Sequence, residues 1–207
     1  MKHKGFNKSI CRYVFSRFQE GATYLMMQPK RVVKSSPSRL EFGCGPSLSV
    51  GFDGVDIRWF RGVKYICNSW EIDKYVKGES VSEIYSRHFL EHLTFVQVEL
   101  TIQVWRRLQI KGGRLVIVIP DIDYHISQWL AHDGTKISAT NSNWTLRQHA
   151  IAGFWGWQSE GSTKSWDVHK SGFNYQSIRD LLVKNGYCDV LRIEDKPWNL
   201  NVQATKC

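Results

Sequence analysis

The chain has 207 residues, 42% of them hydrophobic, which suffices for one α/β domain with a full core and falls short of two ordinary domains plus a linker. Its net charge of +9 is concentrated at one end: residues 1–39 hold nine basic side chains against Glu20 alone, so they carry +8 and the remainder is almost neutral. No run of about eighteen apolar residues occurs, and Arg12 and Arg17 interrupt any signal-peptide core, so neither a transmembrane helix nor secretion by that route is expected.

The cysteines, Cys11, Cys44, Cys67, Cys188 and Cys207, form an odd set without C-x-x-C spacing. Neither a disulfide framework nor a cysteine zinc site is expected from them, and a reducing cytoplasm fits.

In chain order, residues 9–27 place Ile10, Val14 and Phe18 on one helical face with Lys8, Arg12 and Arg17 elsewhere, which predicts an amphipathic helix. Packing on the domain or capping its site is the favoured role for it, ahead of peripheral membrane contact. Residues 28–38, with Pro29, Pro37 and a basic run, read as the linker. The division is thus a basic N-terminal extension over residues 1–38 and a folded domain over residues 39–207. Such an arm suits an acidic partner surface: phosphate-bearing saccharide, nucleic acid or anionic lipid.

Residues 39–58 form a short apolar strand around Leu40 and Phe42, a turn Gly43-Cys44-Gly45-Pro46, and a second strand Val55-Asp56-Ile57 ending in an acid. In an open α/β sheet, ligands bind beyond the carboxyl ends of the strands, so Glu41, the glycine turn and Asp56 are expected to converge on one crevice. A dinucleotide G-x-G-x-x-G needs glycine where Leu48 stands. Only fifteen positions separate Glu41 from Asp56, so any helix between these strands is very short or absent.

Residues 62–67 predict a third strand, followed by Asn68-Ser69-Trp70, and residues 81–86 a fourth, running into Arg87-His88-Phe89-Leu90-Glu91-His92-Leu93. His88 to His92 also spells H-x-x-E-H, a zinc-hydrolase motif that requires one continuous helix, and the adjacent strand leaves little room for one. No metal is therefore assigned. Val98, Ile102, Trp105 and Leu108 mark a helix over residues 95–108, and Leu115 to Ile119 a doubly buried strand. Residues 122–171, rich in Trp, Gly and His, read as irregular and as covering the crevice. A helix over residues 176–185, stopped by Gly186, precedes strands at 189–193 and 200–205.

Four ordered segments together resemble the class I S-adenosylmethionine (SAM)-dependent methyltransferases. These are Glu41-Phe42-Gly43-Cys44-Gly45, with Ser47 where the family's third glycine falls; Leu90-Glu91-His92-Leu93; the Gly112-Gly113 strand; and the terminal helix-glycine-hairpin. The resemblance implies an α/β Rossmann-like fold, with a mostly parallel seven-stranded sheet, a terminal antiparallel hairpin and helices on both faces. It also implies SAM as cofactor, held by Glu41, Gly43, Cys44, Gly45, Asp56, Ile57, Asn68, Ser69, Trp70 and Ser86. The ending Ile119-Pro120-Asp121 resembles a subgroup of predicted bacterial methyltransferases often found among surface-polysaccharide genes, which implies a saccharide or sugar-nucleotide hydroxyl as acceptor.

Methyl transfer is an in-line displacement at an activated sulfonium, so alignment supplies most of the acceleration and no nucleophilic residue is required. A histidine suits the removal of a hydroxyl proton, with His88 first and His169 second. Arg87 and His92 are the substrate-binding candidates. The competing readings are a binding module of the same fold without catalysis, and the H-x-x-E-H zinc hydrolase.

Overall fold

A computed structural model describes residues 38–131, 136, 138, 143–158 and 167–207. The expected amphipathic helix at 9–27 and the linker lie outside the described residues. The strands are β1 (Ser38–Phe42), β2 (Asp53–Asp56), β3 (Val63–Ile66), β4 (Val81–Arg87), β5 (Gln109–Pro120), β6 (Tyr187–Ile193) and β7 (Asn199–Lys206). The helices are α1 (Phe95–Leu108), α2 (Ile122–Leu130), α3 (Leu146–Trp155) and α4 (Tyr175–Lys184), with short 3-10 helices at Ser69–Lys74 and Leu90–His92.

The strands form one seven-stranded sheet in the order β3-β2-β1-β4-β5-β7-β6. Strands β1 to β5 pair in parallel, whereas β7 runs antiparallel to both β5 and β6. The chain winds outward from β1 in one direction and from β4 in the other, so a crevice opens between the carboxyl ends of β1 and β4. That is the architecture expected from the sequence.

Local chemistry explains the elements. Thr94 caps α1 and forms a reciprocal capping box with Gln97, while Val98, Ile102, Trp105 and Leu108 are buried along its inner face. Trp105 packs against Phe42 of β1 with ring centroids 4.8 Å apart, which locks helix to sheet beneath the crevice. The apolar, mostly β-branched run Leu115–Ile119 of β5 is buried on both faces, as a central strand requires.

Parallel neighbours usually need a crossover of about a dozen residues or more, most often a helix. Between β1 and β2 residues 43–52 make the connection as turns alone, closed by Ser47 N–H to Cys44 O (3.2 Å) and Phe52 N–H to Ser49 O (3.3 Å). The short spacing from Glu41 to Asp56 therefore has the consequence expected of it: no helix forms between β1 and β2.

Two features depart from the sequence reading. Residues 122–171, expected to be irregular, contain α2 and α3. Their ends are well capped, since Asp121 accepts the Asp123 N–H (3.1 Å) and Thr145 forms a capping box with Gln148. Their buried faces, however, are built from His125, Gln128, His149, Ala152 and Gly153, which carry no apolar stripe for periodicity to detect. The second departure is a disulfide between Cys188 and Cys207, whose Cα atoms lie 5.8 Å apart. The antiparallel register of β6 and β7, which sets Cys188 opposite Thr205, brings these two cysteines together, and cysteine spacing cannot reveal a register.

Candidate active site

Three strand ends build one side of the crevice. After β1 the chain turns at Gly43 with φ +66°, a left-handed conformation that disfavours other residues, and a Cβ at this position would lie 2.5 Å from the Phe89 ring. The two nearby carboxylates hold the turn. Asp56 at the end of β2 accepts Gly45 N–H through Oδ2 (3.0 Å) and Arg58 N–H through Oδ1 (2.8 Å), while Glu41 accepts Ser49 N–H (2.7 Å). Cys44 is buried in the same turn; burial, then the Asp56 and Glu41 charges, push its thiol up to about 12, so it stays protonated and unreactive.

Beyond β3, Asn68 donates to Glu71 (2.7 Å), and Ser69 shares a buried hydrogen bond with Thr101 of α1 (2.7 Å), which anchors the 3-10 helix carrying Trp70.

Strand β4 feeds the opposite side. His88 follows it with φ +48°, and the 3-10 helix Leu90–His92 begins two residues later. The H-x-x-E-H residues therefore do not share one helix, and His88 with His92 do not form the helical-turn pair of that hydrolase motif. Instead His88 Nδ1 lies 3.2 Å from Oε1 of Glu91, a carboxylate that is 1% exposed. Glu91 also tethers the distant segment 168–171: its main-chain carbonyl accepts Lys170 N–H (2.7 Å) and Ser171 N–H (3.2 Å).

That tether brings His169 beside His92, with ring centroids 5.1 Å apart. His92 Nδ1 faces Val168 O (3.2 Å) and His169 Nδ1 faces Gly153 O (2.9 Å). A carbonyl oxygen can only accept, so both Nδ1 atoms carry a proton, and in the neutral ring Nε2 is then the atom with the free lone pair. Desolvation by burial lowers the pKa of His169, which keeps it neutral at neutral pH. Behind it, His125 of α2 and His149 of α3 meet edge to face with ring centroids 5.1 Å apart. Burial, then the His149 charge, lower His125 to about 4, and burial likewise lowers His149.

Of the expected residues, Gly43, Asp56, Ile57, Asn68, Ser69, Trp70, His88, His92 and His169 border one cavity of about 550 Å3, within the usual range for small-molecule sites. Glu41, Cys44, Gly45 and Ser86 are buried and lie outside its lining. Glu41 and Gly45 act on the turn from behind, and the Ser86 hydroxyl has no hydrogen-bond partner among the described residues. Arg87, expected at the substrate, is exposed, lies outside that lining and sits 4.0 Å from Asp195. The sequence reading missed Arg58, Glu91, His125, His149, Trp198 and Asn199, all of which line the cavity. Of these, only Glu91 sat inside a motif that singled it out.

No protein-family model matches the chain, and no curated protein matches it in sequence. Solved structures do. One is a SAM-dependent methyltransferase from Archaeoglobus fulgidus, with TM-score 0.53 and 14% identity over 94% of this chain and 99% of that one. Another, from Thermotoga maritima, is also a SAM-dependent methyltransferase, with TM-score 0.53 and 14% identity over 95% and 97%. A third is the 1,6-didemethyltoxoflavin-N1-methyltransferase of Burkholderia thailandensis, bound to its substrate and S-adenosylhomocysteine, with TM-score 0.50 and 12% identity over 100% and 93%. Identities this low speak for the fold alone; with the strand order and the terminal antiparallel hairpin, they show that the chain has the Rossmann-like class I methyltransferase fold.

Proposed function

We propose that the chain transfers a methyl group from SAM to a hydroxyl-bearing acceptor. The observation that carries this reading is the cavity at the β1–β4 switch point, with the Gly43 turn and Asp56 on one side and a cluster of histidines on the other. In this reading Asp56 accepts the ribose hydroxyls, for which Oδ2 retains a lone pair beyond its bond to Gly45 and Oδ1 one beyond its bond to Arg58. Asn68 and Ser69 meet the adenine edge, Trp70 and Ile57 its faces, and the Gly43 backbone the amino-acid end. Glu41, Cys44, Gly45 and Ser86 support that seat from behind.

His88 is the proposed base. Glu91 orients it through Nδ1, which leaves Nε2 to take the acceptor proton. As the acceptor oxygen bonds to the methyl carbon, the carbon–sulfur bond breaks and sulfur keeps the electron pair as a neutral thioether. His169 is the second candidate for proton removal, His92 contacts the acceptor, and Arg87 has no place in this scheme.

A saccharide or sugar-nucleotide hydroxyl, in keeping with a role in polysaccharide biosynthesis, is our reading of the acceptor. It rests on the aromatic surface beside the cavity, where Trp157 lines the wall and packs at a tilt against Trp144, with ring centroids 4.6 Å apart. Among the described residues no helix is long and apolar enough to cross a membrane. A cytoplasmic location is supported by the unpaired thiols of Cys44 and Cys67, and the Cys188–Cys207 disulfide weighs against it.

Calorimetry with SAM and S-adenosylhomocysteine tests the cofactor. Both bind the wild type, and Asp56→Ala weakens SAM by about 1–3 kcal/mol through the loss of polar partners. Absence of binding by either nucleotide at millimolar concentration would falsify the enzyme reading. Binding without methyl transfer to sugar nucleotides, saccharides or RNA would reduce the chain to a binding module.

A further inference from the structure

Glu91, His92 and His169 stand apart from the other polar groups of the cavity. One donor atom of each lies within 4.8 Å of those of the other two. Glu91 is 1% exposed, and although Oε1 faces His88, its Oε2 is buried with no hydrogen-bond partner among the described residues. A carboxylate oxygen so placed is strongly disfavoured unless a cation or donor meets it. Both histidines donate Nδ1–H to main-chain carbonyls, Val168 and Gly153. This is how metal-binding histidines are held outside the coordination sphere: the tautomer is fixed and Nε2 is left as the ligand.

We infer that Glu91, His92 and His169 bind a first-row divalent cation at the edge of the cavity. Two imidazoles and one carboxylate suit zinc or manganese better than magnesium or calcium, which prefer all-oxygen sets. Donors on one zinc, each about 2.1 Å from it in tetrahedral disposition, stand roughly 3.4 Å apart, so side-chain shifts of about 1 Å close the site. Three protein ligands leave at least one coordination position open, and that position faces the same cavity.

Resting on the methyl-transfer reading, the cation would hold the acceptor hydroxyl beside His88 and lower its pKa. His169 is then a ligand and not a base. The site also differs from the H-x-x-E-H arrangement, in which both histidines of that motif bind the metal and the glutamate does not.

Titration of the SAM-free protein with ZnCl2, MnCl2 and MgCl2 in separate calorimetric runs tests this. One equivalent of zinc or manganese is expected, with magnesium at least tenfold weaker. Glu91→Gln, His92→Ala and His169→Ala should each weaken zinc by tenfold or more, while Arg179→Ala, exposed on α4 outside the cavity lining, leaves it within about twofold. Should a variant misfold by far-ultraviolet circular dichroism, visible absorption of the wild type loaded with CoCl2 supplies the same information: ligand-field bands appear at one equivalent and vanish on adding zinc. Zinc affinity unchanged in a folded His169→Ala, or no saturable cobalt band, overturns the site. Metal binding without SAM binding would spare this inference and sink the methyl-transfer reading, and the reverse result would do the opposite.

Discussion

On the β1–β3 side of the cavity, polar groups satisfy one another: Asp56 holds Gly45 and Arg58, Glu41 holds Ser49, Asn68 holds Glu71, and Ser69 holds Thr101. On the β4 side they do not. Glu91 Oε2, His125 Nδ1, His149 Nδ1 and Asn199 Oδ1 are all buried without hydrogen-bond partners among the described residues, and all four residues line the cavity. Buried polar atoms are normally paired, so the first side is a finished seat shaped mainly by the backbone, whereas the second is chemically poised toward a ligand. Substitutions that disturb the main chain should act on the first side. Protons and cations should act on the second.

The largest expected effect tests the backbone side. Gly43→Ala forces a Cβ into a left-handed turn and against Phe89, and should cost about 4 kcal/mol of stability, combining about 1–2 for the conformation with about 1–3 for overpacking. Urea denaturation measures it; a loss below about 1 kcal/mol would mean that the turn relaxes freely and is no rigid seat.

A slightly smaller effect probes the histidine side. The folded-state pKa of His125 is about 4 against an ordinary 6.5, so the unfolded chain takes up a proton before the folded one does. The stability this gives is full above pH 6.5 and is lost as pH falls toward 4, by about 3 kcal/mol over that window. His149 and His169, also lowered, add in the same direction. Urea midpoints at a series of pH values should therefore drop on acidification, and His125→Gln should flatten most of the slope. An unchanged slope in that variant would place the acid sensitivity elsewhere.

The smallest effect sharpens the boundary between the sides. Glu41→Gln exchanges a charged acceptor for a neutral one under Ser49 and should weaken SAM by about 1 kcal/mol, roughly fivefold, although Glu41 does not line the cavity. Calorimetry reads that change. Equal affinity in wild type and variant would show that the loop holds its shape without the charge.

The backbone side is legible in the sequence because its chemistry is local. Gly43, Gly45 and Asp56 lie within fourteen residues of one another, and a glycine turn between short apolar strands prescribes both conformation and position. The histidine side was legible only in pieces. His88, His92 and His169 were singled out, but Glu91 was read as part of a motif and not as a buried, half-paired carboxylate. His125 and His149 were passed over because their helices bury polar rings and small residues. Arg87 is a candidate because it stands at the carboxyl end of β4, and its exposed side chain meets Asp195 outside the cavity lining.

By itself the sequence determined the order and type of most elements, since apolar period, glycine turns and helix caps are set by neighbours a few residues away. It also determined that β1 and β2 must join without a helix, because too few residues lie between them. Only the tertiary structure decided that His169 meets His92 and Glu91, that Glu91 keeps one oxygen unpaired, and that Cys188 faces Cys207. Each of these depends on contacts between distant segments, through main-chain hydrogen bonds from Lys170 and Ser171 to Glu91 and through the register of β6 on β7, which side-chain identity along the chain does not encode.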